Sequence, residues 1–429
     1  MMSLAVLGVA ALALAAHGQS LPQDRVKRDA AELRQTYDFV ILGGGTAGLT
    51  VADRLTEAFP DRKCFSSGRL ARRNANAAAA GTVLVVELGE LVYAPGVNEP
   101  PGYPAPLPGW RITSRPNPGL NGRIGGVTIG KAVGGGTTIN GQFFDRGSAS
   151  DYDAWAALGS PEFDDYEDKW DWEGLLPYFK KSVTFTEPTK ESTVGYGYTW
   201  DADAAYGGNT PIHASFPPFQ WPMQALTWKA WVDTGVGANR ECAAGTKVGM
   251  CWVPSSQHPY TARRSHAGTG HFLDAIDRRP NYDLLVLHRA IRVQYARGAG
   301  TETAVLDGGP PRVEVRAEGS NATTWVTATQ EVIVAAGALN TPLILQRSGI
   351  GPKGVLDKAG VEQIVDLPGV GQNFHDHGGL TYKATFNVTI TPNADILATN
   401  TSFRDQAVAE YEQRPARGPY TLAFGNSAS

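Results

Sequence analysis

The stretch Y-D-F-V-I-L-G-G-G-T-A-G-L-T at Tyr37–Thr50 limits the fold of this 429-residue chain more than any other segment. Tyr37–Leu42 is a short apolar run with β-branched residues, the pattern of a strand buried on both faces. Gly43, Gly45 and Gly48 follow at once as G-x-G-x-x-G. The first glycine suits a tight turn, the second lets a pyrophosphate approach the backbone, and the third lets a helix pack on the strand. The free N–H groups of that helix's first turn would face the phosphates. A plain glycine turn is the competing reading. The position between strand and helix favours a dinucleotide cradle.

Such a cradle calls for an acidic residue at the tip of the next strand, ~20 residues on, to bind ribose hydroxyls. T-V-L-V-V-E at Thr82–Glu87 fits, but Glu87 lies 39 residues beyond Gly48. The excess is Asp61–Ala80, rich in Arg, Asn and Ala and without hydrophobic periodicity. It reads as a surface insert outside the core, and its 20 residues suit a short translated in-frame intron. A mature transcript that retains these codons would exclude the intron.

The chain is long enough for a large core and more than one domain. A net charge of −4 gives no general attraction to nucleic acid or anionic membranes. Met1–Ser20 resembles a secretory signal: Leu4–Ala16 is apolar but too short to span a bilayer, and small residues follow. A buried N-terminal helix is the alternative. No other segment reads as a membrane span. Of three cysteines, Cys242 and Cys251 are near enough to close a small loop, leaving Cys64 in the insert. No Cys or His cluster has metal-ligand spacing, so no metal is expected. N-x-S/T sites at Asn321, Asn387 and Asn400 suit glycans on surface loops of a secreted chain.

Further along, Tyr93–Pro118 is a Pro- and Gly-rich connection of the kind that is usually functional. Eight of the ten Trp fall between Trp155 and Trp252, in a loop-rich module that reads as core or as a substrate-side wall. Arg263–Asp277 has a helical pattern, Tyr282–Val293 is strand-like, and Glu331–Ala335 is a buried strand entering A-G-A at 336–338. Strands of the dinucleotide type thus occur early and late, which implies a discontinuous cofactor domain.

Three more segments follow in order: G-K-A-V-G-G-G-T-T-I-N-G at Gly130–Gly141, A-A-G-A-L-N-T-P-L-I-L-Q-R-S-G-I-G-P at Ala335–Pro352, and L-P-G-V-G-Q-N-F-H-D-H at Leu367–His377. With the cradle, they resemble the glucose–methanol–choline (GMC) oxidoreductases, and most of all the secreted fungal alcohol, aryl-alcohol and sugar oxidases and dehydrogenases. The resemblance implies an α/β fold: a discontinuous FAD-binding Rossmann-like domain, with an α+β substrate domain built on an antiparallel sheet and incomplete here. Its implied layout is a signal at 1–20, cofactor parts at 37–155 and 261–380, a substrate or cap segment at 156–260 and the start of a substrate domain at 381–429. It implies FAD, held by Gly43, Gly45, Thr46, Ala47 and Gly48 at the pyrophosphate and Glu87 at the adenosine ribose. Gly136, Asn140, Gly141, Gln142 and Phe143 would line the flavin and pyrophosphate side, and the Ala290 backbone the adenine. Asn373, His375, Asp376 and His377 would form a polar turn near the flavin.

Glycines at 134–136 suit this physically, since bare backbone can lie against a flat ring. No His occupies 134–143, where some relatives attach flavin covalently, so non-covalent FAD is expected. E-L-G at 87–89 and Gln142 depart mildly from the commoner E-A-G and Met. The implied reaction oxidises the CH–OH group of an alcohol, aryl alcohol or sugar, with hydride passing to flavin N5 and then to oxygen or a quinone. Family members draw their base, a His paired with His or Asn, from a C-terminal segment. That pair is expected beyond Ser429, so no catalytic residue is named. The alternatives are a lyase or cyclase with structural flavin and a non-catalytic flavin-binding fragment. A nicotinamide enzyme fits the cradle but not the later segments.

Overall fold

A computed structural model describes residues 24–60, 81–92, 97–103, 108–165, 169–295, 309–376, 387, 389–423 and 427–428. The signal at 1–20, the insert at 61–80 with Cys64, and His377 lie outside these residues. The chain divides into two compact units. One comprises Met1–Ala94, Pro108–Ile139 and Ala267–Leu380; the other comprises Pro95–Leu107, Asn140–His266 and Thr381–Ser429.

The first unit is built on a seven-stranded mixed sheet. Its strands are β1 (Val26–Lys27), β2 (Thr36–Leu42), β3 (Val83–Val86), β4 (Tyr282–Leu285), β5 (His288–Gln294), β6 (Arg312–Ala317) and β7 (Thr323–Val334). The spatial order is β1-β4-β3-β2-β7-β6-β5, so strands from both ends of the sequence interleave and the unit is discontinuous. Pairing is parallel from β1 through to β7 and antiparallel over β7-β6-β5.

Alternation explains the run at Tyr37–Leu42. Phe39 and Ile41 join Val83, Val85 and Leu284 in one cluster with Leu49 and Ala52 of helix α1 (Thr46–Ala58). Val40 and Leu42 join Leu84, Val86, Val313, Val315 and Ile344 of helix α2 (Gly337–Arg347) in another. Both faces are covered, so both parities must be apolar. Each such side chain contributes roughly 1.5–3 kcal/mol through burial. Asp38 pins the register at the polar end. Its Oδ2 accepts from Thr82 N–H and Oγ1, each at 2.9 Å, and its Oδ1 from Thr329 Oγ1 at 2.8 Å.

Two elements differ from the pattern reading. Tyr282–Val293 is two strands, parted at Leu287, which takes φ 56°. Helical turns begin only at Ala267; Arg263–His266 is non-helical and belongs to the other unit.

The second unit has short strands. Thr184–Thr186 pairs parallel with His213–Ser215, and Cys251–Trp252 pairs antiparallel with Ser427–Ala428. Aromatic contacts fill its interior. Phe185 stacks on Tyr206 at 4.2 Å and Trp228 on Trp252 at 4.3 Å between ring centroids. Of its tryptophans Trp252 is core, whereas Trp155, Trp170 and Trp231 are exposed. Cys242 and Cys251 form a disulfide.

Candidate functional site: a cleft at two helix N-termini

A cleft of about 760 Å³ opens in the first unit where β2, β3 and β7 end. Two helices begin on it. Helix α1 starts at Thr46 with Gly45 as its N-cap, and α2 starts at Gly337 after Ala336; neither cap supplies a side-chain hydrogen bond. The first-turn N–H groups of both helices are therefore free to bind an anion, and both dipoles favour one.

The glycines of the cradle have distinct roles. At Gly43, φ is 112° and a Cβ would stand 2.4 Å from the Ala335 carbonyl oxygen. At Gly48 a Cβ would stand 1.9 Å from the Gly43 oxygen, so α1 can reach the sheet only with glycine there. A Cβ on Gly45 would meet only Gly135 Cα, at 3.8 Å. Nothing in the protein demands glycine at 45, and the residue lines the cleft. That fits a backbone kept bare for an incoming phosphate. Gly44, absent from the motif reading, is constrained as Gly43 is and Gly45 is not, since a Cβ would lie 2.9 Å from Glu87 Cβ.

Glu87 follows β3 directly. Its Oε2 accepts from Gly44 N–H at 2.8 Å and its Oε1 from Gly89 N–H at 2.7 Å. Burial raises its carboxyl above the ordinary value of 4.5, against the lowering effect of these backbone donors. Each oxygen retains a further lone pair for a diol.

The cleft brings together Gly43, Gly45, Thr46, Ala47, Glu87, Gly136 and Ala290, all predicted from sequence. Gly48 lies behind them as packing. Ala336–Ala338, His375 and Asp376 also line it. Sequence reasoning missed Trp110 and Arg289, whose guanidinium carbon sits 5.2 Å from the Trp110 ring centroid. Trp110 lies on the strand Gly109–Thr113, paired antiparallel with Gly126–Gly130, inside the connection flagged for its Pro and Gly content.

Asn140–Phe143 belong to the second unit. Asn140 is exposed, and its Oδ1 accepts from Gln142 N–H at 3.2 Å. Gln142 takes φ 62°; its side chain is fully buried and donates from Nε2 to Ser256 O at 3.3 Å. Gly141 is half-buried and Phe143 exposed. In the same unit Arg264 is buried, which lowers its guanidinium to about 10 and leaves it cationic at neutral pH. His266 is also buried, and that desolvation, with the nearby Arg264 charge, lowers its imidazole to about 3.

The donor set fits FAD: free helix N-termini for a diphosphate, an anchored carboxylate for a ribose, and bare glycine backbone. Among the described residues no group of three or more His, Cys, Asp or Glu side chains could hold a metal ion. No described helix is long and apolar enough to cross a membrane.

The family model for GMC oxidoreductases matches residues 37–378. A dehydrogenase, xptC, of Emericella nidulans is 34% identical over 385 residues, covering 88% of this chain and 55% of the relative. Patulin synthase of Aspergillus clavatus is 28% identical, covering 89% and 56%. Among solved structures, a fungal aryl-alcohol oxidase superposes with a TM-score of 0.81 at 48% identity, covering 92% of this chain and 61% of that one. An FAD-dependent oxidoreductase from Chaetomium thermophilum does so with a TM-score of 0.78 at 36% identity, covering 91% and 61%. The chain thus spans about 55–61% of the length of these relatives. It belongs to the GMC oxidoreductase family, whose cofactor is FAD.

Proposed function

We propose that this chain is the FAD-binding part of a secreted oxidoreductase acting on the CH–OH group of an alcohol, aryl alcohol or sugar, with oxygen or a quinone as final acceptor. The observation that carries the reading is the convergence of two uncapped helix N-termini and the anchored Glu87 on one cleft. When bound, FAD supplies a hydride acceptor at N5. The residues of this chain hold and orient it. Thr46, Ala47 and the Ala336–Ala338 turn offer N–H groups to phosphate, and Glu87 accepts from the ribose. Ala290 offers backbone to the adenine, and Gly136 and Asn140–Phe143 serve the flavin side. FAD is held without a covalent bond. The absence of His from 134–143 supports this. No catalytic base is assigned to these residues.

Similarity to the fungal aryl-alcohol oxidase supports an alcohol substrate. The Cys242–Cys251 disulfide supports an oxidising, secreted setting. Exposed Asn321, Asn387 and Asn400 suit glycans; Asn400 caps a helix through Oδ1, which accepts from Phe403 N–H at 3.0 Å and stays available after modification at Nδ2. The test is anaerobic mixing of the FAD-loaded full-length protein with an aryl alcohol, an aliphatic alcohol and a sugar. Bleaching of the flavin by at least one is expected. Turnover of a substrate with the flavin remaining oxidised would favour a lyase instead.

A further inference from the structure

The edge of the first unit's sheet carries two cross-strand charge pairs that are matched differently. Where β5 and β6 run antiparallel, Arg292 stands opposite Glu314 and Arg289 stands opposite Arg316. The first pair is complementary, with Arg292 Nε donating to Glu314 Oε2 at 2.6 Å. The second sets two cations directly opposite each other, an arrangement that destabilises a sheet. Arg347, the last residue of α2, adds a third cation. Burial, and then the charges of Arg347 and Arg316, lower the Arg289 guanidinium below its ordinary value. The acid that favours its charge, Glu318, is taken by Lys131. None of Arg289, Arg316 and Arg347 is ion-paired with a carboxylate among the described residues. Arg289 rests on the Trp110 ring instead.

The mismatch has a definite place. Arg289 and Arg347 line the cleft, whereas the matched Arg292 and Glu314 do not. A like-charge pair kept at a ligand cleft, with a matched pair three residues along the same strand, points to an anion that comes from outside the protein. The FAD diphosphate is a dianion, yet its seat is elsewhere. Arg347 ends the helix whose first-turn N–H groups face the cleft, so about 15 Å of α2 separates it from them. Across that gap a guanidinium makes no hydrogen bond and acts through its field alone. The field spans the gap at about 0.01 M salt, where the Debye length is ~30 Å, and is screened out at about 1 M, where it is ~3 Å.

We infer that Arg289, Arg316 and Arg347 form an electrostatic funnel that draws the anionic cofactor into the cleft: they set how fast FAD enters, and the helix N-termini hold it once seated. This rests on the reading that the cleft takes FAD with its diphosphate at the N-termini of α1 and α2.

The test is stopped-flow mixing of the full, flavin-free chain with FAD, reading entry and exit rates from flavin fluorescence at about 0.01 M and 1 M salt. The parent should take up FAD about tenfold or more faster at low salt. The Arg289→Gln/Arg316→Gln/Arg347→Gln variant should take it up about tenfold more slowly than the parent at low salt and at the parent's rate at high salt. Its exit rate should be unchanged. Arg316→Glu, which makes the cross-strand pair complementary, should slow entry and melt above the parent. Either variant, folded and with the parent's entry rate and salt slope, overturns the inference. So does a loss that falls wholly on exit, which would make the arginines part of the seat. Should neither fold, Arg347→Gln decides alone, since that side chain is exposed: an unchanged salt slope overturns the inference. A parent chain that never takes up FAD removes the functional reading itself, whereas uptake at a salt-independent rate removes this inference and leaves that reading standing.

Discussion

The two units solve the problem of burial in different ways. The first stacks aliphatic side chains on both faces of a sheet, needs glycines where backbone meets backbone, and holds buried polar groups such as Asp283 and His271 through paired partners. The second has short strands and depends on stacked rings, a disulfide and buried polar groups such as Gln142, Arg264 and His266. Aliphatic packing tolerates change of similar volume. Buried polar networks do not, because one lost partner leaves a desolvated group unsatisfied. Through its disulfide and the strongly lowered His266 imidazole, the second unit should be the more sensitive to redox conditions and acid, and the first to added volume at its turn.

The largest effect is expected from Gly48→Ala. With 1.9 Å between the new Cβ and the Gly43 oxygen, α1 must leave the sheet, at a cost of about 3 kcal/mol or more. Chemical denaturation checks this, and hydrogen exchange should place the loss in β2 and α1. Unchanged stability would mean that α1 does not sit as described.

Acid should act on the other unit. The His266 imidazole lies at about 3 when folded against 6.5 as the ordinary value, so the unfolded chain binds the extra proton in between. The stability it contributes is present above pH 6.5 and is lost as pH falls toward 3, on the order of 5 kcal/mol in full. Glu87 has the opposite sign: its carboxyl is raised, so its ionisation opposes folding and the first unit weakens slightly as pH rises past 4.5. Segment-resolved hydrogen exchange across pH should show these two slopes. His266→Gln should flatten the first and Glu87→Gln the second. Equal slopes in both units would break the contrast.

Opening the Cys242–Cys251 loop by a Cys→Ser pair should cost roughly 2–3 kcal/mol for so short a loop. Exchange should rise around Trp252 and leave β2 and β3 as they were. At the small end, Trp228→Ala should lose about 1 kcal/mol of stacking on Trp252 beyond the area it exposes, which a thermal melt can read.

The contrast also explains what the sequence made legible. Strand, glycine turn and helix are encoded in adjacent residues, so Tyr37–Thr50 could be read directly, as could the acid at the end of β3. Arg312–Ala317 carries a V-E-V alternation that the pattern reading passed over, although Val313 and Val315 are fully buried. Gly44 was missed because its constraint comes from Glu87, 43 residues away. Trp110 and Arg289 meet only through folding and leave no local pattern. Arg263–His266 looked helical because Arg favours helices and the segment runs straight into the helical turns at Ala267, but the bonds to Asn98 and Ser256 hold it out of the helix, where Arg264 can reach Asn140.

Whether the first unit's cleft takes FAD is read by titration calorimetry of the purified chain, separately with FAD and with NAD. One FAD per chain, weakened about 10–100-fold by Glu87→Gln through loss of a charge-assisted bond, is the expected result. A folded chain that ignores FAD, or that binds NAD as tightly, would contradict it.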